Sequence, residues 1–458
     1  MIKLNDYVTT IKSKLNTDIN GLSLAIFRIG FGLILGIQEG LGSLLYDKFY
    51  TGYISTLFHA PYPSLSAITL PSSIYTAYIL YFILILSCLF IALGYHFKIS
   101  SLVFFVTYTY FFLLDYNFYN NHYYLICLFG LFLFLSNAHH KFSIDSRKKN
   151  IESPKHWHLF LFQFQVCIMY FYAGLAKLTS INWLNAEPLK LWVKNFPKDH
   201  LFNTLFSNEF SAYMFSYAGL LVDLSLPFLI LFKKTRHIGI LLMIGFHSIN
   251  YFVLFSPLNN NVIGSFSVLG VLIAILFFDD STIEKYISKI LNSFLFNKSK
   301  NIEVEKQSIV IPICFSLFFI IQFSIPFRYL LIDGNSNPRW TEIGRTFSWM
   351  DFTTYKRSTL DIEIGKLNVP PKKVNISNDL TKFQHHIGGI PYSTLQLLKV
   401  KTKQAESSGI DNPLGYAKAN VSLNGRNHRP ITNSFLNLDR TNWTPFSNQI
   451  WIRQYSDL

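Results

Sequence analysis

The stretch WHLFLFQFQVCIMYFYAGLAKL, residues 157–178, decides the fold class of this chain. Its apolar run is long enough to cross a hydrocarbon core, since a helical crossing needs about 20 residues. The stretch ends in Lys177, and a lysine at a helix end commonly lays its stem along the lipid boundary and places its charge in water. The alternative is that Lys177 faces inward and acts as a base. Both interpretations place the segment in a membrane.

The composition of the whole chain agrees with several such segments. Of the 458 residues, 50% are hydrophobic and only 14% are charged, against roughly 25% charged residues in soluble domains. We therefore predict a polytopic α-helical membrane protein with about nine transmembrane helices, the first of them retained because it has no cleavage site. The predicted spans are about 22–45, 74–94, 98–114, 122–136, 157–178, 211–232, 236–256, 262–278 and 308–326.

Lys and Arg are distributed unequally between the two sides of this topology. The N-terminus and the loops that follow even-numbered spans carry about 17 of them, and the loops that follow odd-numbered spans carry about 4, with Lys177 left out of the count. Because positive residues stay cytoplasmic, we expect a cytoplasmic N-terminus and an extracytoplasmic segment after residue 326. The same bias accounts for the net charge of +14 without a nucleic-acid partner.

The chain changes character near residue 327. Short alternating pieces such as LDIEIG (360–365) and NQIWIRQY (448–455) indicate β-strands. The piece at 381–400 begins with helical spacing but contains Gly-Gly and Pro. We predict a transmembrane catalytic domain over 1–326, followed by a compact β-rich extracytoplasmic C-terminal domain with one or two short helices over 327–458.

Polar side chains inside transmembrane segments are costly and usually functional. Asp115 at a helix end, Asn121 in a turn and His247 in the interior each have a structural explanation when taken alone. The topology nevertheless brings a set of such residues to similar depth in the outer half of the membrane, which favours a site. The set is Glu39, Asp115, Asn121, His122, Lys177, His247 and Asn250.

Two further polar residues belong to the inner half of the predicted bundle. Arg28 needs an acidic or carbonyl partner, and Asp223 in LLVDLSLPF (220–228) is one candidate. A buried Arg–Asp pair would fix helix register rather than do chemistry. We classify Arg28 and Asp223, together with Asp115 and Glu39, as structural polar residues.

A cavity lined by Lys, His and Asn among aromatic spans suits a lipid-soluble reactant with a polar head. Burial disfavours the charged form of an amine, and a neutral amine accepts a proton from a phenol-like hydroxyl, whose reference pKa is about 10. Nearby Tyr, Asn and His side chains can hold the resulting oxygen anion. The sequence contains no haem, flavin or metal-ligand motif, so we expect a site for a phenol or quinol without a metal.

Seven segments in order resemble the vitamin K-dependent gamma-carboxylases with their horizontally transferred transmembrane (HTTM) domain, and together they extend over almost the whole chain. They are FRIGFGLILGIQEG (27–40), FLLDYNFYNNHYYLICLFG (112–130), YFYAGLAKL (170–178), LLVDLSLPFL (220–229), FHSIN (246–250), PFRYLLIDGN…WTEIGRTFSW (326–349) and VSLNGR (421–426).

The resemblance implies an activity, that of a peptidyl-glutamate 4-carboxylase with vitamin K epoxidase activity. Reduced vitamin K, the hydroquinone, is deprotonated and reacts with O2, and the strong base formed removes a γ-proton from a peptide glutamate. CO2 then adds to give γ-carboxyglutamate, and the vitamin leaves as its epoxide. In a bacterium the quinol is menaquinol or vitamin K. The implied partners are the lipid membrane, the quinol and a Glu-containing peptide or protein.

The resemblance also implies roles for individual residues. Lys177 stands at the position of the base that starts the reaction, and His122 and Asn121 are catalytic. The residues implied to bind the quinone are Asn120, Tyr119, His247, Asn250, Phe266 and Trp349. Tyr119 stands where animal relatives carry Trp.

Two other functions remain open at this point. One is a quinol epoxidase or monooxygenase without peptide carboxylation, and the other is a non-catalytic quinone-binding membrane module. The chain has no long C-terminal extension of the animal type, so we expect peptide recognition to differ from that of the animal enzymes. Short loops favour the bacterial inner membrane over an endomembrane with the same sidedness.

Overall fold

The structure is a computed structural model. It describes residue 10, residues 12–291 and residues 310–455, apart from the internal gaps 56–57, 195, 197, 199–202, 204–206, 256–260, 333–336, 351–352, 382–383, 385, 434–436, 439 and 445–446. Over their described residues, all nine predicted spans are helical apart from the last residue of five of them. Helices of eight or more residues are α1 Leu22–Leu45 (with a π-helical turn at Leu35–Leu41), α2 Ile74–Leu93, α3 Phe97–Leu113, α4 Asn121–Leu135, α5 His156–Leu178, α6 Glu187–Lys194, α7 Glu209–Leu231, α8 Arg236–Ile249, α9 Asn261–Ile273, α10 Asp280–Leu291, α11 Val310–Ser324 and α12 Pro391–Ser407.

Several of these helices are suited to a membrane by length and composition. Among the described residues, 5 helices are long and apolar enough to cross one, namely α1, α2, α5, α7 and the segment Ile313–Leu331. A sixth is added if Phe266–Phe277 and Asp280–Tyr286, which meet at 108°, form one broken span. The helices α3 and α4 are apolar but shorter. The protein is therefore a helical membrane protein, and the number nine stays a prediction.

The first helices are held together by buried aromatic rings and by close backbone approach. Phe27 contacts Phe129 and Phe162 edge to face, with ring centroids 5.5 and 5.3 Å apart. A Cβ added to Gly32 would lie 2.4 Å from the carbonyl oxygen of Cys88, so α1 and α2 meet backbone to backbone at this point. Ring packing and small residues are the expected means of helix association where lipid removes the hydrophobic driving force.

Arg28 lies fully buried in α1, and its guanidinium donates to five backbone carbonyls. The acceptors are Ile91, Ala92, Ala138, Lys141 and Phe142, at 2.6–3.4 Å. These carbonyls belong to the end of α2 and to the segment after α4. Of the two kinds of partner expected for Arg28, the carbonyl partner is therefore correct, and the candidate Asp223 is wrong.

The C-terminal part contains a small antiparallel sheet of four strands in the order β2-β1-β3-β4. The strands are β1 Lys356–Lys366, β2 Val369–Val374, β3 Leu414–Leu423 and β4 Arg429–Pro430. The helix α12 packs against β3 and β1. The strand predicted at LDIEIG lies in β1, where Ile362 and Ile364 are buried in the core of this part.

Two expectations for this part are wrong. The piece NQIWIRQY is not a strand among its described residues, and only Ile452 makes an isolated bridge, to Thr432. The neighbours Trp451 and Ile452 are both buried, whereas a half-exposed strand alternates its faces. The helix α12 has 17 residues rather than being short. Pro391 occupies its first turn, where proline is well tolerated, and Gly-Gly lies in the 3₁₀ turn before it.

The two parts of the chain share one core at the C-terminal end of α3. Asp115 is fully buried there and caps the turn that follows α3 by accepting from the backbone N–H of Asn117 at 2.9 Å. Its carboxylate also accepts from the backbone N–H of Ala60 and, at 2.8 Å, from the side-chain amide of Gln384 in the C-terminal part. Asp115 therefore joins the helices to the C-terminal domain.

A second junction predicts a measurable stability effect. Gly425 has φ +81°, and an added Cβ would lie 2.7 Å from Cδ2 of Leu191 in α6, whereas Gly409 at φ +94° has nothing within 4 Å. Both Gly→Ala changes add backbone strain of about 1–3 kcal/mol, but only Gly425→Ala also pushes the β3–β4 turn away from α6. We expect the lower melting temperature in detergent for Gly425→Ala. Equal melting temperatures for the two variants would contradict this contact.

Candidate active site

The site begins where α5 and α7 cross. Gly174 of α5 faces Leu224 of α7 so closely that an added Cβ would lie 2.8 Å from the Leu224 backbone nitrogen. Side chains three residues apart on a helix share a face, so Lys177 lies one turn beyond this contact. There it meets Asp223, the residue before Leu224. The close crossing therefore brings a lysine and an aspartate together.

Lys177 and Asp223 form a buried ion pair. Nζ of Lys177 lies 2.5 Å from Oδ2 of Asp223, and the two side chains are only 6% and 4% exposed. The ring of Trp183 lies over the amine, with Nζ 5.0 Å from the ring centroid, and its indole N–H donates to the Ser216 carbonyl at 2.9 Å. Lys177 therefore faces inward rather than extending to the lipid headgroups.

The position of Asp223 along the predicted span implied that it belongs to the inner half of the bundle. The ion pair with Lys177 contradicts this. The beginning of α7 extends beyond the end of α5 and packs against the segment that contains α6, where Ala212 and Leu220 meet Trp183 and Leu189. The 14 steps along the helix from Glu209 to Asp223 rise by about 21 Å, and most of this length lies beyond the end of α5. The result is that Asp223 lies at the depth of Lys177.

A cavity of about 440 Å³ opens beside this pair, and we call it the lysine cavity. It contains six residues that the sequence singled out, namely Lys177, His122, His247, Asn250, Phe266 and Asp223. Most of its wall is apolar or aromatic and includes Met169, Trp192, Met214 and Phe246. The cavity thus combines a large apolar surface with a few polar groups, as is typical of sites for small molecules.

Two histidines are fixed in different ways in this cavity. The ring of His122 stacks on Phe266, with centroids 3.6 Å apart and planes 13° apart. Nε2 of His247 lies 2.7 Å from the hydroxyl of Tyr170, and the absence of a side chain at Gly270 leaves room for the His247 ring. Within the described residues, Nδ1 of His247 has no hydrogen-bond partner. When the tyrosine donates, Nδ1 carries the remaining proton and can donate to a ligand.

Asn120, Asn121 and Tyr119 do not line the lysine cavity. They line a second cavity of about 290 Å³, which we call the polar cavity and which also includes Glu342, Arg345 and Lys356. Tyr119 donates to the side-chain oxygen of Asn121 at 2.6 Å, and the side chain of Asn120 caps α4 by accepting from the backbone of His122. The first turn of α4 therefore lies between the two cavities, with His122 on one side and Asn121 on the other.

The charges of the polar cavity were not anticipated from the sequence. Glu342 pairs with Arg345 at 2.7 Å and with Lys356 at 2.5 Å. Burial opposes ionisation of Glu342, but the charges of Arg345 and Lys356 outweigh it and hold the pKa of Glu342 below its usual value. Burial also lowers the pKa of Lys356, although Glu342 acts against this. Two cations against one carboxylate make this cavity suitable for an anionic group.

Trp349 and Glu39 lie apart from the lysine cavity. Trp349 is buried and stacks on Tyr124 with centroids 5.1 Å apart, and it lines neither cavity described above. Glu39 lines a third cavity of about 180 Å³ that includes Tyr53, Tyr81 and Tyr108, which we call the tyrosine cavity. The Tyr81 hydroxyl donates to the backbone carbonyl of Glu39 at 2.6 Å within the π-helical turn of α1.

Two residues that line the lysine cavity, Tyr170 and Trp183, were not selected from the sequence. Tyr170 precedes Lys177 by seven residues, and residues seven apart on a helix lie on one face, so this spacing was a usable signal. Trp183 lies in a short helical turn, Ile181–Leu184, after the end of α5, and four residues are too few for periodicity to indicate direction. Its position is visible only in the structure.

Comparison with protein families agrees with this architecture. The HTTM domain family matches residues 16–281, which is more than half of the chain, and the lumenal domain of vitamin K-dependent gamma-carboxylase matches residues 306–457. No solved structure matches the chain. The helices and the small-sheet domain therefore define an HTTM-type membrane protein with a lumenal domain. The chain belongs to the vitamin K-dependent gamma-carboxylase family.

Proposed function

We propose that this carboxylase-like membrane protein couples oxygenation of reduced vitamin K, or menaquinol, to carboxylation of peptide glutamate. The observation that carries the proposal is the lysine cavity, in which Lys177, His122, His247, Asn250 and Phe266 meet. When bound, the hydroquinone supplies the electrons that reduce O2 and thereby yields the strong base needed at glutamate. No metal is part of the proposal.

The residues of the lysine cavity suit a naphthoquinol in size and chemistry. A cavity of about 440 Å³ lies within the range of small-molecule sites, roughly 300–1,000 Å³. Its aromatic wall matches a fused ring. Lys177 would accept a proton from a hydroxyl of the ring. The Nδ1 of His247, which has no partner among the described residues, and Asn250 would hold the ring oxygens.

The polar cavity suits the second substrate. Arg345 and Lys356 would hold the carboxylate of a peptide glutamate, because charge-assisted hydrogen bonds are the strong ones. Asn121 on this side and His122 on the other would bring CO2 and the glutamate γ-carbon close to the oxygenated ring. The carboxylation half of the proposal rests on these contacts.

We also propose the membrane arrangement expected from the loop charges. The N-terminus is cytoplasmic, the membrane is the bacterial inner membrane, and both cavities open toward the extracytoplasmic side. The match of residues 306–457 to a lumenal domain supports this sidedness for the C-terminal part. We keep the domain boundary between residues 326 and 327 as a prediction.

One assay tests the function. Purified protein in lipid nanodiscs would receive vitamin K hydroquinone, O2, labelled bicarbonate and a Glu-containing peptide. We expect both vitamin K epoxide and labelled γ-carboxyglutamate. Epoxide without labelled peptide would instead indicate a quinol epoxidase. Tight hydroquinone binding without either product would indicate a quinone-binding module and overturn the proposal.

The crossing of α5 and α7 makes a further prediction. Gly174→Ala places a Cβ 2.8 Å from the Leu224 backbone nitrogen, so the two helices must separate at the turn next to Lys177. We expect epoxide formation to fall by at least about 10-fold, because small misplacements of reacting groups cost activity. The matched control is Gly52→Ala, since nothing lies within 4 Å of a Cβ at Gly52. Equal activity of the two variants would contradict the role of this contact.

A further inference from the structure

We infer that Asp223 is a positioning residue that makes Lys177 a proton acceptor by taking up the proton that the lysine carries. The inference rests on the proposed function and deepens it. A lysine that is already an ammonium cannot accept a proton, so the site needs a way to produce the neutral amine. The ion pair with Asp223 supplies that way.

The geometry of the pair fits direct proton exchange. Nζ of Lys177 and Oδ2 of Asp223 are 2.5 Å apart, with no room for an intervening water. Among the described residues, Asp223 is the only carboxylate within ion-pair distance of Lys177. Arg28, the residue first considered as the partner of Asp223, uses its donors on carbonyls. Lys177 is therefore paired directly with this carboxylate.

Burial makes the neutral form of the pair accessible. Removing two charges from water is expensive, and in a dry site their attraction offsets this only in part. When a proton moves from Nζ to Oδ2, an N–H bond breaks and an O–H bond forms, and both charges disappear. The pair is then an amine and a carboxylic acid. Trp183, whose ring lies over Nζ, favours the ammonium again once it forms.

The proton count then balances for the first step. The neutral amine takes a proton from a ring hydroxyl, so one O–H bond breaks and one N–H bond forms. Lys177 becomes an ammonium while Asp223 stays protonated. The pair has gained one proton and carries one positive charge beside the oxygen that has become negative. A carboxylate at the same place would repel that oxygen, so protonation of Asp223 also removes a repulsion.

The test uses Asp223→Asn and Asp223→Glu in the full-length protein. Asp223→Asn keeps the shape but cannot take the lysine proton, which must then leave the buried site for solvent, so we expect kcat for epoxide formation at neutral pH to fall by about 10²–10⁴-fold with a nearly unchanged KM for the hydroquinone. Asp223→Glu should recover part of kcat. A merely structural residue would change melting temperature and KM together and would not separate kcat from KM. Wild-type kcat in Asp223→Asn would overturn the inference.

Infrared difference spectroscopy provides a second readout that needs no turnover. Hydroquinone is added without O2, and the carbonyl stretch of a protonated carboxylic acid is followed. We expect this band to appear in the wild type and to be absent in Asp223→Asn. No band in the wild type would overturn the inference even if the epoxide is formed, so the inference can fail while the proposed function stands. Conversely, if the wild-type protein shows the band but forms no epoxide, only the proposed function is contradicted.

Discussion

Lys177→Ala should abolish formation of vitamin K epoxide, with a loss of about 10³-fold or more in rate. Removal of a positioned acid–base group typically costs 10²–10⁴-fold, and within the described residues no other lysine or arginine lines the lysine cavity. The measurement is epoxide yield per protein from nanodiscs under saturating hydroquinone and O2. Peptide carboxylation should be lost in parallel, because it depends on the same oxygenation.

The comparison needs two controls. Lys190→Ala removes a lysine of α6 that pairs with Glu209 at 2.7 Å outside the cavity, and it should keep nearly full activity. Lys177→Ala leaves Asp223 buried without its cation, which is destabilising. The double variant Lys177→Ala/Asp223→Asn removes that charge as well and should be equally inactive. Wild-type epoxide yield in Lys177→Ala would show that another group is the base.

Arg28→Met should have the largest effect on stability. The change removes the guanidinium from five backbone carbonyls, three of them in buried hydrogen bonds, and each unsatisfied buried group costs about 1–3 kcal/mol. We expect a loss of at least about 4 kcal/mol in the free energy of unfolding, which is exceptional for one substitution. The measurement is the melting temperature and the monodisperse fraction after extraction.

The control for Arg28 is Arg147→Met. Arg147 is exposed at the end of a short helix, and such surface changes usually stay within about 0.5 kcal/mol. If Arg28→Met has the melting temperature of the wild type, the guanidinium does not hold the segment after α4. The structural role assigned to Arg28 is then wrong.

Much of the helical part was predictable because long apolar runs identify helices directly. The bounds of the predicted spans agree with those of the observed helices to within a few residues. For example, the span predicted at 74–94 is the helix Ile74–Leu93. The inward direction of Lys177 also followed from the set of polar residues around it. These features depend on composition and periodicity, which a sequence contains.

The partner of Lys177 was not predictable in the same way. Hydropathy locates a residue along its own helix but not the height at which that helix starts relative to its neighbour. Because α7 begins beyond the end of α5, packed against the segment containing α6, Asp223 lies nearer the C-terminal end of α5 than counting along the span indicates. Tertiary contact with the short helices between α5 and α7 decided this position.

The division of Asn120, Asn121 and His122 between two cavities has a similarly local cause. Successive residues of a helix point about 100° apart, so neighbours in the first turn of α4 face different surroundings. Adjacent residues of a sequence motif therefore need not line the same cavity. The prediction of a strand at NQIWIRQY was wrong for a related reason, since alternation of residue types does not guarantee a partner strand.

The central claim is that the naphthoquinol binds in the lysine cavity, and photolabelling tests it most directly. A photoreactive naphthoquinone is bound to the purified protein in nanodiscs, irradiated, and the labelled residues are identified by mass spectrometry. The expected result is labelling of cavity residues such as Met169, Met214 and Phe246, with protection by excess vitamin K. Protectable labelling confined to the tyrosine cavity, around Tyr53 and Tyr108, would contradict the account.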